Sequence, residues 1–395
     1  MDKKIAIVGG GIAGLTAAYR LSQKGIKSIV FEKEVLMGGR LQWSSIVAGK
    51  LLHPYSLALI KELGLEELIV PLELSDVGAF LPDGNVMKME DFPKAVESFS
   101  PQEMASFLQI KEFFEKNPID AKNPFPNHPE FREISFAQYM KDCPERLKAL
   151  LGVELNFRWV KDWNDISAEY GFICMAPLFV AIPLGEMYTF EENLTIITSV
   201  LTKKIKEKGS EVLTGSKVVS IKTVENKLKI EFETINGRKE EIVDNLIMAV
   251  PLPIIKEIFP EIKIESDIGY VNGKCLLVDG ELGEKYNRKA LFGLPGNPFN
   301  VCLLVSLNPK EHRVYPLDIE KEVRLDKIYN NHRVLGENEL ISAWPIVPPK
   351  GRIPGIKTNI KGVYICGDFY HFPSHDTSVA TAEMVVEEII KGREN

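Results

Sequence analysis

The chain has 395 residues, 45% of them hydrophobic and 26% charged, an ordinary globular composition that excludes a disordered, fibrous or membrane-spanning protein. Its 48 basic and 55 acidic side chains leave a net charge of -7, so the general attraction behind nucleic-acid binding is missing. Five cysteines, odd in number and without C-x-x-C spacing, argue against a disulfide framework or a zinc ribbon and read as reduced thiols in a cytoplasmic protein. The length predicts two domains. The opening MDKKIAIV carries no apolar leader, so no signal peptide is expected.

The first predicted element is a β-strand over residues 4–8 (KIAIV), a short apolar run rich in β-branched side chains. Gly9, Gly10 and Gly11 follow at once, and an amphipathic helix then runs from Ile12 through Ala13 and Gly14 to residue 24, ended by Gly25. Gly9, Gly11 and Gly14 occupy the G-x-G-x-x-G positions. The first permits the turn, the second lets backbone reach a pyrophosphate, and the third lets the helix pack on the sheet. The helix start offers unpaired N–H groups and a partial positive charge to that diphosphate. A second strand over residues 28–31 delivers Glu32, 18 residues beyond Gly14, where a carboxylate accepts from ribose hydroxyls and repels a 2′-phosphate. Strand, turn, helix and acid at this spacing define a dinucleotide site, with NAD and FAD both open at this point.

The continuation Glu32-Lys33-Glu34-Val35-Leu36-Met37-Gly38-Gly39-Arg40 separates the two. Here the chain resembles the flavin-dependent amine oxidase superfamily, which includes monoamine oxidases, protoporphyrinogen oxidases and phytoene desaturases. The resemblance implies that Gly38, Gly39 and Arg40, with Lys33 before them and Leu41 behind, run along an FAD diphosphate toward the flavin. The residue types suit that role, because glycines permit close backbone approach and a guanidinium supplies planar donors for phosphate. The next stretch, residues 41–57 (LQWSSIVAGKLLHPYSL), departs from the family by lacking its Asp-x-Gly element. Gly185-Glu186-Met187 likewise stands where the family often has a Gly-Gly pair.

Residues 171–185 (GFICMAPLFVAIPLG) are uncharged, but this run of 15 with two prolines is too short to span a bilayer as a helix. It reads as a buried core segment lining an apolar substrate cavity, with peripheral membrane contact as the alternative. Residues 217–221, 228–232 and 244–251 read as strands and resemble the family's middle FAD segment, which implies a backbone contact from Val218 to the adenine and a sheet strand ending at Ala249. Of the intervening stretches, 75–184 looks mainly helical with polar loops, and 262–343 looks strand-rich, notably at 274–278 and 299–307.

The last strand, residues 362–368 (GVYICGD), ends in Gly367-Asp368 and precedes a helix expected over 377–390, capped by Asp376 or Thr377. The resemblance implies that Asp368 binds the ribityl or diphosphate part of FAD and that the helix start at Ser378 and Val379 faces the flavin pyrimidine. Helix N–H groups suit the charge a reduced flavin carries there. No cysteine stands where covalent attachment would need it, since Cys366 lies inside the strand, so FAD is expected to be noncovalent.

The expected architecture is α/β. A Rossmann-like FAD-binding domain (1–74, 185–261 and 344–395) carries a discontinuous mixed α+β substrate domain (75–184 and 262–343). The expected function is an FAD-dependent dehydrogenase or oxidase that takes a hydride from a C–H bond of a small apolar or amphipathic molecule. Trp43, Trp344, Tyr370 and His371 are the candidates for the flavin-facing pocket. A flavin-dependent isomerase or mutase without net redox is one alternative, although the arginine-rich pocket it needs is not evident. A binding protein of the prenylated-GTPase escort type is the other, and the intact Gly9, Gly11, Gly14, Glu32, Gly39 and Asp368 argue against it.

Overall fold

The computed structural model describes residues 3–43, 46–48, 53–119, 125–181, 187–190, 194–370 and 373–394. The two apolar runs that open the chain become neighbouring strands, Ile5–Val8 and Ser28–Phe31, with every residue buried. Such uniformly apolar strands require cover on both faces, as in a parallel sheet. They lie in a five-stranded sheet ordered Val363–Ile365, Asn245–Met248, Ile5–Val8, Ser28–Phe31, Glu211–Leu213, every pair parallel. One face packs against the opening helix Ile12–Gln23, the helix Thr195–Glu207 and the closing helix His375–Glu394. An antiparallel meander, Lys217–Val224, Lys227–Thr234 and Gly237–Val243, covers the other face together with the helix Leu252–Ile258.

A second, seven-stranded sheet takes strands from both intervening stretches. Its order is Tyr329–Ile346, Gly269–Leu282, Glu311–Pro316, Val301–Ser306, Ala290–Gly293, Val77–Phe80, Val86–Lys88. The join between the two stretches is, among the described residues, the one parallel pairing, Val77–Phe80 with Ala290–Gly293, while the other strand pairs of this sheet run antiparallel. The stretch expected to be mainly helical therefore begins with a β-hairpin. The expected boundary at 343/344 falls inside a strand, because Tyr329–Ile346 stays paired to Gly269–Leu282 as far as Ile346. Trp344 thus belongs to the second sheet.

Helices between Pro101 and Ala176 pack on this sheet around a core of aromatic rings. At its centre the helix Ala168–Ala176 is buried along its whole length, so part of the uncharged 171–185 run is core helix. Gly171 makes this possible, since a Cβ there would overlap the ring of Phe136, 2.7 Å from its Cδ1. Residues 177–181 continue as a wider turn, and residues 182–186 lie outside the described residues. Among the described residues no helix is long and apolar enough to cross a membrane.

Candidate cofactor and active site

The three glycines of the opening turn do different work. Gly9 has φ +110°, a conformation that L side chains avoid, and a Cβ on it would stand 2.5 Å from the carbonyl oxygen of Ala249. A Cβ on Gly14 would overlap the carbonyl oxygen of Gly9 and lie 3.3 Å from Cβ of Ala249, so this glycine seats the helix on the sheet. Gly11 has nothing within 4 Å of such an atom and faces open space. No side chain caps the helix at Gly11, which leaves its first N–H groups directed at that space. Ala249 is tied to the turn by its N–H, which donates to Val8 at 2.8 Å.

Glu32 is buried beside the turn and ties its parts together. Oε2 accepts from the Gly10 N–H at 2.7 Å and Oε1 from the Glu34 N–H at 2.9 Å. A carboxylate has about four acceptor positions, so both oxygens keep capacity for ribose hydroxyls. The Glu32 carbonyl accepts from the Ser216 N–H at 2.8 Å, which brings the start of the meander, and Val218 with it, next to the acid. Val218 is buried on the outer strand of the meander, whose far edge has no strand partner among the described residues. Lys33 is exposed and pairs with Glu34 at 3.3 Å.

The Gly-Gly-Arg stretch lies against the same turn. The Gly38 N–H donates to Gly10 at 2.9 Å, Gly38 takes φ +132°, and a Cβ on Gly39 would come 3.4 Å from Cα of Gly11. Leu41 is buried beneath. Arg40 then meets Asp368, 328 residues away in sequence, through two parallel hydrogen bonds of 2.6 and 2.7 Å, and gives a third of 2.7 Å to the carbonyl of Ala343. Burial works against the Arg40 charge, but the carboxylate of Asp368 outweighs it and holds the guanidinium above its ordinary pKa. Arg40 and Asp368, both expected beside the cofactor, are joined to each other in the structure. Asp368 is 8% exposed and Arg40 41%, so part of the arginine side chain stays open beyond the pair.

Gly367 is bound to the closing helix through Thr381, whose hydroxyl oxygen accepts from its N–H and also contacts its carbonyl, each at 3.0 Å. The helix begins at His375, two residues before the expected start, and its cap is neither Asp376 nor Thr377. Ser374 does this, accepting from the Thr377 N–H at 3.1 Å. Asp376 is wholly buried and takes the Ser56 N–H at 2.6 Å, serving the start of the helix Pro54–Glu62. Ser378, at the end of the first turn, and Val379, just after it, are buried. His375 stacks on His53 with ring centroids 4.5 Å apart, and burial pushes it down to about 4, so it is neutral at pH 7. His53 was not foreseen, since a lone histidine before Pro54 carries no motif.

Of the expected pocket residues, Trp43 and Trp344 come together. The hydroxyl of Tyr315 donates to the carbonyl of Trp43, and Phe157 meets Tyr315 edge-on at 5.7 Å and Trp344 at 5.6 Å. Tyr370 is half-buried next to Phe369, and His371 lies outside the described residues. Sequence reasoning missed Arg158 and Tyr170. Arg158 lies 4.8 Å over the ring of Trp344, and the Tyr170 hydroxyl donates to the carbonyl of Pro345 at 3.0 Å. Burial pushes Tyr170 well above its ordinary pKa, so it stays protonated.

The residue model for flavin containing amine oxidoreductases matches residues 12–273. The chain belongs to this family. Nicotine dehydrogenase of Pseudomonas putida is 25% identical over 283 residues, covering 65% of this chain and 55% of that one. The chain spans 55% or less of each curated relative it matches. Cyclohexylamine oxidase from Brevibacterium oxydans superposes over 99% of this chain and all 100% of its own with a TM-score of 0.68 at 15% identity. A protoporphyrinogen oxidase-like protein from Exiguobacterium covers 98% and 99% with a TM-score of 0.66 at 14% identity. At such identities these two likenesses speak for the fold alone.

The residues fit the flavin cofactor that gives this family its name. The uncapped helix start and the open space at Gly11 suit a diphosphate, and the two oxygens of Glu32 suit ribose hydroxyls. Arg40, partly open and following Gly39, which lies against Gly11, adds a positive charge near the same turn. Cys366 is fully buried in the strand leading to Gly367, and burial pushes its thiol up to about 12, which makes it a poor nucleophile.

Proposed function

We propose that this protein is an oxidoreductase that holds FAD noncovalently and takes a hydride from a C–H bond of a small apolar or amphipathic substrate. The observation that carries the reading is the convergence of Arg40 and Asp368 beside the open glycine turn, across 328 residues of sequence. In this reading the backbone of Gly11, Ile12 and Ala13 binds the diphosphate, with Gly38 and Gly39 close against it and Arg40 supplying charge. Glu32 holds the adenosine ribose, the outer edge of the meander at Val218 meets the adenine, and Ala249 closes the turn from below. Gly367 and Asp368 serve the ribityl chain, and the N–H groups at Ser378 and Val379 serve the pyrimidine edge. FAD when bound supplies the hydride acceptor at flavin N5. Trp43, Trp344 and Tyr370 line the substrate side, orient the reacting bond and exclude water, and His371 is assigned to that side from its sequence position alone.

The cofactor domain in this reading comprises 1–74, 185–261 and the chain beyond the strand Tyr329–Ile346, and 75–184 with 262–346 forms the substrate domain. The reduced-thiol composition supports a cytoplasmic enzyme acting on a small molecule rather than on nucleic acid. The test is direct: purified protein shows the absorbance bands of oxidised flavin, bleaches anaerobically with dithionite, and releases its flavin into the supernatant on acid precipitation. Colourless protein that FAD fails to reconstitute overturns the proposal, and colour that stays with the precipitate overturns noncovalent binding.

A further inference from the structure

One residue of the seven-stranded sheet reaches the cofactor site without belonging to any of its motifs. Tyr270 is the second residue of the strand Gly269–Leu282, in register with Pro345 of the neighbouring strand. Two residues before Pro345, the carbonyl of Ala343 accepts from Arg40. The Tyr270 hydroxyl accepts from the Leu252 N–H at 3.3 Å, at the start of the helix Leu252–Ile258. Leu252 closely follows Ala249 and Val250, and a Cβ on Gly9 would stand 2.9 Å from Cγ1 of Val250. The ring packs on the core that contains Val8 and Met248, the last residues of two parallel strands. Open α/β sheets bind their ligands at the carboxyl ends of such strands. Tyr270 thus joins the wall of the glycine turn to the strand pair that holds Arg40.

Its hydroxyl has a hydrogen to give. A phenol oxygen accepts and also donates, yet this one only accepts from Leu252, and among the described residues its hydrogen meets no acceptor. Asp368 turns both carboxylate oxygens to Arg40 rather than to the phenol. Both charges still act on Tyr270. Burial and then the carboxylate of Asp368 push it above its ordinary pKa, against a smaller opposing pull from Arg40, so it stays a neutral donor. A part-buried O–H without an acceptor, in the field of a guanidinium, is matched by an anionic oxygen. Core packing alone would be served as well by phenylalanine.

Resting on the proposed flavin chemistry, we propose that Tyr270 is a further cofactor-binding residue, whose hydroxyl donates to a phosphate oxygen of FAD that Arg40 also serves. The substrate domain then takes part in holding the cofactor, which no motif of the cofactor domain requires. The next residue, Val271, is in register with Trp344, so the same hydrogen bond ties the strands that carry this pocket candidate to the flavin. Tyr270 acts here by binding and positioning, and it moves no proton in the reaction.

The experiment is titration of the full-length apoprotein with FAD at pH 7, followed by flavin fluorescence, for wild type, Tyr270→Phe, Arg40→Lys and the double variant. Tyr270→Phe keeps the ring in its core and should weaken FAD about tenfold, as expected for a lost hydrogen bond to a charged oxygen. Because both donors serve one anionic group, the double variant should bind about threefold or more tighter than the product of the two single losses predicts. Urea unfolding of each apoprotein separates binding from scaffolding. If the hydroxyl serves only the Leu252 N–H, Tyr270→Phe lowers the urea midpoint while FAD affinity stays at the wild-type value. The proposal is overturned by that result, by wild-type FAD affinity in Tyr270→Phe at any midpoint, or by single losses that simply multiply in the double variant. The two readings fail differently. A wild-type protein that takes up no FAD sinks the flavin assignment and this contact with it, whereas tight wild-type binding that Tyr270→Phe leaves untouched sinks the contact alone.

Discussion

Replacing Gly11 and Gly14 separately with alanine should split cofactor binding from folding. At Gly11 the backbone has φ -76°, which any residue adopts, and an added Cβ meets nothing within 4 Å. The apoprotein of Gly11→Ala should therefore be as stable as wild type or more stable by about 0.4–1 kcal/mol, because alanine restricts the unfolded chain. The same methyl group occupies the space where a diphosphate must touch backbone. Overpacking at a rigid site costs about 1–3 kcal/mol, so FAD should bind roughly ten- to hundredfold more weakly. At Gly14 the methyl would overlap the carbonyl oxygen of Gly9 and stand 3.2 Å from its carbon. Gly9 cannot retreat, since its own Cα side already faces the Ala249 carbonyl. Gly14→Ala should thus lose about 3 kcal/mol of apoprotein stability in addition to cofactor. Urea unfolding of apoprotein and quenching of flavin fluorescence on titration measure the two quantities. Wild-type FAD affinity in Gly11→Ala would refute the placement of the diphosphate, and wild-type stability in Gly14→Ala would refute the tight seating of the helix.

Arg40→Lys keeps the charge but cannot make two parallel bonds to Asp368 and a third to Ala343, so it should lower FAD affinity about three- to thirtyfold, measured by the same titration. Unchanged affinity would remove Arg40 from the cofactor track. His312 is buried, which depresses it from 6.5 to about 4, so the folded protein keeps it neutral while the unfolded chain takes up a proton below about 6.5. Stability should fall as pH drops through that window, by about 2 kcal/mol at pH 5 from this residue, with His375 acting in the same direction. Urea midpoints at pH 7 and pH 5 should show a smaller drop in His312→Phe than in wild type, and an equal drop would exonerate His312. Gly171→Ala drives a methyl group into the ring of Phe136 and should cost about 1–3 kcal/mol, seen as a lower urea midpoint without loss of flavin per folded molecule.

Much of the cofactor half was legible because its chemistry is local. A strand of β-branched residues, a glycine turn, an amphipathic helix and an acid after the next strand each follow from a few adjacent residues, and together they leave one backbone path. Gly9, Gly11, Gly14, Glu32, Gly38 and Gly39 accordingly stand around a single turn. Boundaries were less legible. The closing helix starts at His375 because Ser374, rather than Asp376, has the side-chain geometry to accept its N–H, while Asp376 is drawn off to another helix. The strand that carries Trp344 stays in the second sheet through Ile346 because its partner Gly269–Leu282 extends that far, a fact no window of sequence contains.

Local spacing thus determined where the glycines, Glu32, Arg40 and Asp368 fall on strands and turns, since hydrogen bonding within a few residues decides such features. Tertiary structure alone decided that Arg40 grips Asp368, that Arg158 lies on Trp344, and that Asp376 caps a helix far from it in the chain. These are contacts between charges and rings whose separation in space depends on how two sheets pack, and that packing is set by the summed burial of many side chains rather than by any one motif.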